Sequence, residues 1–350
     1  MSELPLSVVF RADASIGIGW GHVMRCVTLA KAIVASGGSC IFLCRDVAGN
    51  LVEWIRAQGF EVLVLKSQTE LTDAAECRDK LVASRRFDWL VVDSYQLGRV
   101  WELSMQGVAQ RLMVIDDFSN RSHEADLLLN QNLDVSRDDY DRLTPAECVT
   151  CTGPEYALLR PEFAAGRDAL LSHGERQKRL LLSMGGADAG DSTSWVLDAL
   201  DRLPLPTDWE VAVVMGGTAP ALEKVKELCL TMSAKTDVFV DVTDMAHLMA
   251  ASDLGIGAAG STSWERCCMG LPSVLVALAD NQKPIAEALE RRGAAKVVAL
   301  GDTFSLQAAV QLLVSDAIVR DTMSSRAAAI CDGSGARRLL SRLSGITGET

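Results

Sequence analysis

Leu6-Ser-Val-Val-Phe-Arg-Ala-Asp-Ala-Ser-Ile-Gly-Ile-Gly-Trp-Gly-His-Val-Met-Arg25 decides the fold. A short apolar segment runs into a glycine-rich turn, and the turn opens a helix. Past the turn, Val23, Cys26, Val27, Ala30, Ile33 and Val34 recur at helical spacing and predict one apolar stripe. Gly37–Gly38 is the expected stop. A strand feeding a helix through glycines is the first unit of a parallel α/β sheet.

Working outward, the same alternation continues to the end. Short apolar runs stand at Leu6–Phe10, Cys40–Cys44, Val62–Leu65, Trp89–Val92, Leu112–Ile115 and Leu127–Leu129. A second set stands at Leu180–Ser183, Val211–Met215, Val238–Val240, Leu254–Gly257, Ser273–Val276 and Lys296–Ala299. These runs lack strict alternation, so the strands should be buried on both faces. Helices are expected from about Asp191, Ala219, Asp244, Thr262 and Asn281, and a last one over Ala336–Leu343. At 350 residues the chain exceeds what one core usually fills. Two doubly wound, Rossmann-like domains of about six strands each are therefore expected, at 1–165 and 175–350. Their boundary should fall in the charged stretch Phe163–Lys178. The last helix is a candidate to pack back toward the first domain. Ligands of such sheets bind beyond the carboxyl ends of the strands, which predicts a cleft between the domains.

Composition narrows the function. Formal net charge is −12, with no Lys/Arg block, so a nucleic-acid partner is not expected. A small anionic ligand stays compatible, since backbone N–H groups at a helix start hold phosphate without net basic charge. Cys148 and Cys151 form one CxxC, but a zinc site needs two more ligands. Scattered, reduced, buried thiols are the expected reading of the ten cysteines, and no metal is expected. The start MSELPLSVVFRAD lacks a signal peptide's basic region, and no apolar run reaches a membrane span. The expectation is a cytoplasmic protein without a membrane partner, and a monomer.

Four segments carry candidate chemistry. In the first, Gly17, Gly19 and Gly21 let backbone approach a ligand closely, unless they simply make a tight strand–helix turn. His22 follows in the first helical turn, where the helix dipole disfavours imidazolium and the ring is poised to accept a proton. A surface or capping histidine is the alternative. His123 and His173 lie in polar stretches and His247 in a helical pattern, so they are poorer candidates. The second segment is Gly257-Ala-Ala-Gly-Ser-Thr-Ser-Trp-Glu265. Gly260, Ser261 and Thr262 offer donors to a diphosphate, and Glu265 could accept both hydroxyls of a ribose. Thr262-x-x-Glu265 is equally a capping box. The third is Ser183-Met-Gly185-Gly186-Ala-Asp188, another loop suited to phosphate or sugar. The fourth group, Asp93-Ser-Tyr95, Asp116-Asp117 and Asn130-Gln-Asn132, follows three strands and suggests a hydrogen-bonding sugar pocket.

Taken with Gly153-Pro-Glu-Tyr156-Ala-Leu-Leu-Arg160-Pro, these segments resemble the PseG family. Its members are UDP-2,4-diacetamido-2,4,6-trideoxy-β-L-altropyranose hydrolases of pseudaminic acid biosynthesis, the route to flagellin glycosylation and related surface polysaccharides. The similarity extends from about residue 7 to 345. The second half also resembles the lipid II-forming N-acetylglucosaminyltransferase, which implies the GT-B fold. The resemblance implies His22 as base, with Tyr95 in the active site and Asp93 or Asp117 assisting. It implies Arg25, Asn130, Asn132 and Tyr156 at the substrate. It places Glu265 on ribose, Gly260–Thr262 on the diphosphate, Val242–Met245 on uracil through main chain, and Gln282 near sugar or phosphates. It implies C–O cleavage of a UDP-sugar by water, with inversion and without metal or cofactor. UDP is a stable leaving group, so one base can suffice where most glycosidases use two carboxylates. A GT-B glycosyltransferase is the alternative.

Overall fold

The computed structural model describes residues 5–81, 86–173 and 176–347, the side chains of 171–173 excepted. The reading of the extreme N-terminus therefore rests partly on residues outside those described, as does that of the His173 side chain. The chain divides into two compact units, residues 1–159 with 334–350, and residues 160–333.

Unit 1 holds seven strands: β1 (Ser7–Ala12), β2 (Ser39–Arg45), β3 (Glu61–Leu65), β4 (Phe87–Asp93), β5 (Ala109–Ile115), β6 (Leu127–Asn130) and β7 (Val149–Thr152). Their order is β3-β2-β1-β4-β5-β6-β7, and every pairing is parallel. Unit 2 holds β8 (Gln177–Ser183), β9 (Glu210–Met215), β10 (Thr236–Val240), β11 (Ser252–Ala258), β12 (Ser273–Val276) and β13 (Lys296–Val298). Their order, β10-β9-β8-β11-β12-β13, repeats the same plan. All twelve apolar runs are strands. The seventh strand of unit 1 is an addition, because Val149-Thr-Cys-Thr152 is short, half polar and overlaps the CxxC.

The apolar runs pack as expected of strands covered on both faces. In unit 1, Val8 and Phe10 face one buried cluster with Val23, Val27 and Ile33, while Val9 faces another with Leu90 and Trp101. Successive side chains of one strand thus serve two cores. Helix Gly21–Ala35 buries Val23, Cys26, Val27, Ala30 and Ile33. Val34, expected in the stripe, is exposed. Gly37, at φ 92°, turns the chain after that helix.

The boundary differs from the expected one. Phe163–Lys178 looks charged and connective, yet Pro161–His173 is a helix of unit 2. The chain returns to unit 1 at Ser334, and helix Gly335–Thr347 buries Leu339 and Leu343 in the cluster of the first helix. Trp89 Nε1 donates to Thr347 Oγ1 at 3.0 Å. Gly335 starts this helix where a side chain cannot fit, since a Cβ would run into the backbone of Tyr156 and Ala157. Backbone cannot rotate away as a side chain can. Gly335→Ala should therefore cost about 1–3 kcal/mol, the usual scale of overpacking. A urea midpoint equal to that of the parent would contradict this packing.

Candidate active site

In both sheets the strand order reverses between the first strand and the fourth, and ligands of open α/β sheets gather there. In unit 1 that point lies between β1 and β4. The register sets Ala12 beside Asp93, at the carboxyl ends of both strands. The chain leaves β1 through an exposed turn in which Gly19 N–H donates to Ser15 O at 2.8 Å and Gly19 adopts φ 81°. Gly17 and Gly19 have open space around them, and Gly21 begins the helix. Its second residue, His22, comes back to Asp93.

His22 Nδ1 lies 2.5 Å from Asp93 Oδ1. A carboxylate only accepts, so Nδ1 carries a proton, and in the neutral ring Nε2 keeps its lone pair. Among the described residues nothing hydrogen-bonds Nε2. Arg25, one turn along the helix, grips Asp93 with both arms of its fork. Nε donates to Oδ2 at 2.6 Å and Nη2 to Oδ1 at 2.7 Å. The same guanidinium donates to both oxygens of Asp117 at 2.9 Å. Tyr95 OH then donates to Asp117 Oδ2 at 2.6 Å. The Tyr95 ring meets the His22 ring edge to face, with centroids 4.5 Å apart. His22, Asp93, Ser94, Tyr95, Asp13 and Ile18 surround a cavity of about 70 Å³, room enough for water.

Charge holds this cluster together. Burial alone would raise the Asp93 carboxyl, but Arg25, and then His22, hold it well below the usual carboxylate range. Burial and the negative Asp117 push the Tyr95 phenol upward, so it stays a donor. Asp93 is thus the partner of His22, and Asp117 the partner of Arg25 and Tyr95.

Several expected substrate contacts have other tasks. Arg25 was expected at the substrate, but its fork is occupied by two carboxylates. Asn130 is fully buried, donating to Tyr140 Oη at 2.8 Å and accepting from Asn132 N–H. Asn132 donates to Asp117 O at 3.0 Å and so braces the Asp117 loop. Tyr156 packs into the core beside the last helix. His123, read as lying in a polar stretch, is buried between Glu102, at 2.7 Å, and Asp116, at 3.8 Å. The polar letters around it hid a buried network.

Unit 2 repeats the geometry at β8 and β11. Gly185 turns the loop after β8 at φ 112°, and Gly186 O accepts from Gly216 N–H at 3.0 Å. Asp188 caps the next helix through Ser192 and Thr193 N–H. After β11, helix Thr262–Cys268 has Ser261 at its cap and no side-chain cap bond. The capping box does not form, so Glu265 is not engaged in capping. Burial holds its carboxyl above the usual range against the pull of Arg160, whose Nη2 is 3.6 Å away. Arg160 Nη1 also donates to Thr243 O at 2.9 Å, joining Glu265 to the Val242–Met245 segment. The Met245 side chain is buried. Gln282 is near Gly260, and its Oε1 accepts from Leu278 N–H at 2.9 Å. Sequence reasoning missed Arg160 as a functional residue, although it closes the Gly153–Pro161 motif. It also missed Asp13, which lines the cavity and whose carboxylate is bound to Arg11 and Arg45.

Residues 181–340 match the glycosyltransferase family 28 C-terminal domain. A UDP-2,4-diacetamido-2,4,6-trideoxy-β-L-altropyranose hydrolase of Campylobacter jejuni is 26% identical over 289 residues, which cover 82% of this chain and 97% of that protein. The chain resembles a UDP-sugar hydrolase. The spore coat polysaccharide biosynthesis protein SpsG of Bacillus subtilis is 29% identical over 150 residues, covering 43% of this chain and 44% of that one. The crystal structure of Acinetobacter baumannii MurG superposes with a TM-score of 0.69 at 16% identity, covering 97% and 99% of the two chains. That likeness establishes the GT-B fold of two parallel-sheet α/β domains. Among the described residues, no helix is long and apolar enough to cross a membrane, and no three His, Cys, Asp or Glu cluster as a metal site would require. Cys148 and Cys151 are buried thiols, both pushed up to about 11 by burial.

The buried network behind the site sets an acid limit. Burial opposes ionisation of Asp116, but His123, Ser119 N–H and Tyr140 OH hold it at about 2, below its ordinary 3.8. A depressed carboxyl stabilises the fold above its unfolded value and loses that contribution as pH falls toward the folded one. Asp116→Asn should therefore flatten the fall in stability between about pH 4 and about pH 2. Unfolding curves with an unchanged slope across that window would contradict this role.

Proposed function

We propose that the protein hydrolyses a UDP-sugar at the anomeric carbon, releasing the free sugar and UDP. The observation that carries this is the pairing of His22 with Asp93. It leaves a basic imidazole nitrogen at the switch point of unit 1, beside a cavity that admits water. In the reaction, Nε2 takes a proton from water, and the oxygen attacks the anomeric carbon from the face opposite UDP. The C–O bond to the diphosphate breaks with inversion, and UDP departs as an anion without a general acid. Asp93 stabilises the imidazolium formed at His22, as the carboxylate of a triad does. Tyr95, fixed by Asp117, bounds the sugar side.

Unit 2 would carry the nucleotide: Glu265 on ribose, Val242–Met245 on uracil, and Gly260–Thr262 with Gln282 on the diphosphate. The donor-rich turns after β8 and β11 support this, as does the family 28 match over residues 181–340. The specific sugar proposed is the 2,4-diacetamido-2,4,6-trideoxy-β-L-altropyranose named for the Campylobacter relative, with pseudaminic acid biosynthesis as the setting. No metal is needed in this scheme, because the leaving group is already stable.

A second reading is a glycosyltransferase, favoured by the family 28 domain. Incubation of the purified protein with UDP-sugar and no acceptor separates the two. Equal amounts of free sugar and UDP support the hydrolase; turnover that requires an added acceptor supports the transferase.

His22→Asn should lower kcat by roughly 10²–10⁴-fold, the usual scale of a positioned base, while UDP still binds. Near-normal turnover would remove His22 from the mechanism. Glu265→Ala should weaken UDP binding with a smaller effect on kcat, as titration calorimetry would show. Unchanged UDP affinity would take Glu265 off the nucleotide.

A further inference from the structure

Arg266 follows Glu265 in helix Thr262–Cys268 and is 3% exposed. Its Nη2 donates to Ala258 O at 2.5 Å and to Ser263 Oγ at 3.2 Å. Its Nε is buried without a partner. Among the described residues no carboxylate forms an ion pair with it, since Glu265 pairs with Arg160 instead. Burial draws the guanidinium down to about 10, against a weaker pull from the nearby Glu265 carboxylate.

The strand beside it is shaped for this side chain. Gly255 and Gly257 lie on one face of β11. A Cβ on Gly257 would come within 2.5 Å of Arg266 Nη1 and 2.6 Å of Ser183 O. A Cβ on Gly255 would touch Arg266 Cδ at 3.4 Å. The side chain therefore lies across β11, with its charged tip between the carboxyl ends of β11 and β8. Gly257 and Ser183 are direct partners in the sheet. The two loops that leave these strand ends are Ser183–Gly186 and Gly257–Thr262.

Glu265 acts on this guanidinium only through space, and a guanidinium held out of water with no carboxylate hydrogen-bonded to it is costly. Two carbonyl and hydroxyl contacts do not neutralise it, and a hydrophobic residue would fill the same space at lower cost. We infer that Arg266 is the fixed positive charge beneath the diphosphate-binding turns of unit 2, with the diphosphate of the nucleotide as its counter-charge. The inference rests on the reading that unit 2 holds UDP. It adds a binding residue one position past the ribose carboxylate, acting from below the turn.

Calorimetry with three probes tests it: UDP, inorganic pyrophosphate and uridine. The unmodified protein is measured first. Failure to bind either UDP or pyrophosphate would overturn the nucleotide reading of unit 2, and this inference with it. Given binding, Arg266→Met should weaken UDP and pyrophosphate at least tenfold and change uridine affinity less than twofold. Arg266→Lys, which keeps the charge, should stay within about threefold of the parent for all three. If circular dichroism shows the Met variant unfolded, Arg266→Gln is read by the same criteria. A neutral variant that binds UDP as tightly as the parent overturns the inference while leaving the nucleotide reading intact. Equal loss of UDP and uridine also overturns it, because shape rather than charge would then be responsible.

Discussion

The site in unit 1 depends on one buried carboxylate staying charged. Asp93 is 1% exposed, and burial by itself would favour its neutral form. Arg25 reverses that balance by gripping both oxygens, and the ionised carboxylate then dictates which imidazole nitrogen of His22 holds the proton. The same guanidinium fixes Asp117 through Nη1 and Nη2, and Asp117 fixes the Tyr95 hydroxyl. Breaking a buried pair from one side leaves an uncompensated charge, typically at a cost of about 3–5 kcal/mol. Base, carboxylates and tyrosine are consequently one unit rather than four independent contributors.

The fold supplies the positions. The pairing of Ala12 with Asp93 brings the end of β4 level with the end of β1, and the helix after β1 then carries His22 and Arg25 on one side, three residues apart. Unit 2 repeats the strand order but handles charge differently. The arginine of unit 1 is matched by two carboxylates and orients its neighbours. Arg266 of unit 2 hydrogen-bonds only carbonyl and hydroxyl oxygens. In the proposed function, the first arrangement prepares a base and the second receives an anion.

Much of the fold was legible in the sequence. Parallel strands buried on both faces must be apolar almost throughout, so the twelve runs stood out. Val149-Thr-Cys-Thr152 did not, because a short strand that ends in threonines carries no such signature. The boundary was misjudged for a related reason: helix Pro161–His173 has weakly segregated faces, and its charges read as a linker. At the site, placement after strand ends singled out His22, Asp93, Tyr95 and Asp117. Their wiring was not legible, because no local pattern links Arg25 to carboxylates 68 and 92 residues away. The same holds for Asn130 and His123, where polar letters marked buried hydrogen-bonded groups rather than ligand contacts. The capping box at Thr262 and Glu265, weighed as the alternative to a ribose role, does not form, and Glu265 lies beside Arg160 instead.

The most direct test of the central claim is the protonation pattern of the His22 ring, read by nitrogen-15 NMR. The chain has 4 histidines, so the assignment is tractable with a His22→Asn reference. The expected spectrum shows a proton on Nδ1, held by Asp93, and a bare Nε2. Asp93→Asn should abolish this preference. A ring protonated on Nε2 in the unmodified protein would contradict the account, because the nitrogen available to water could not then act as a base.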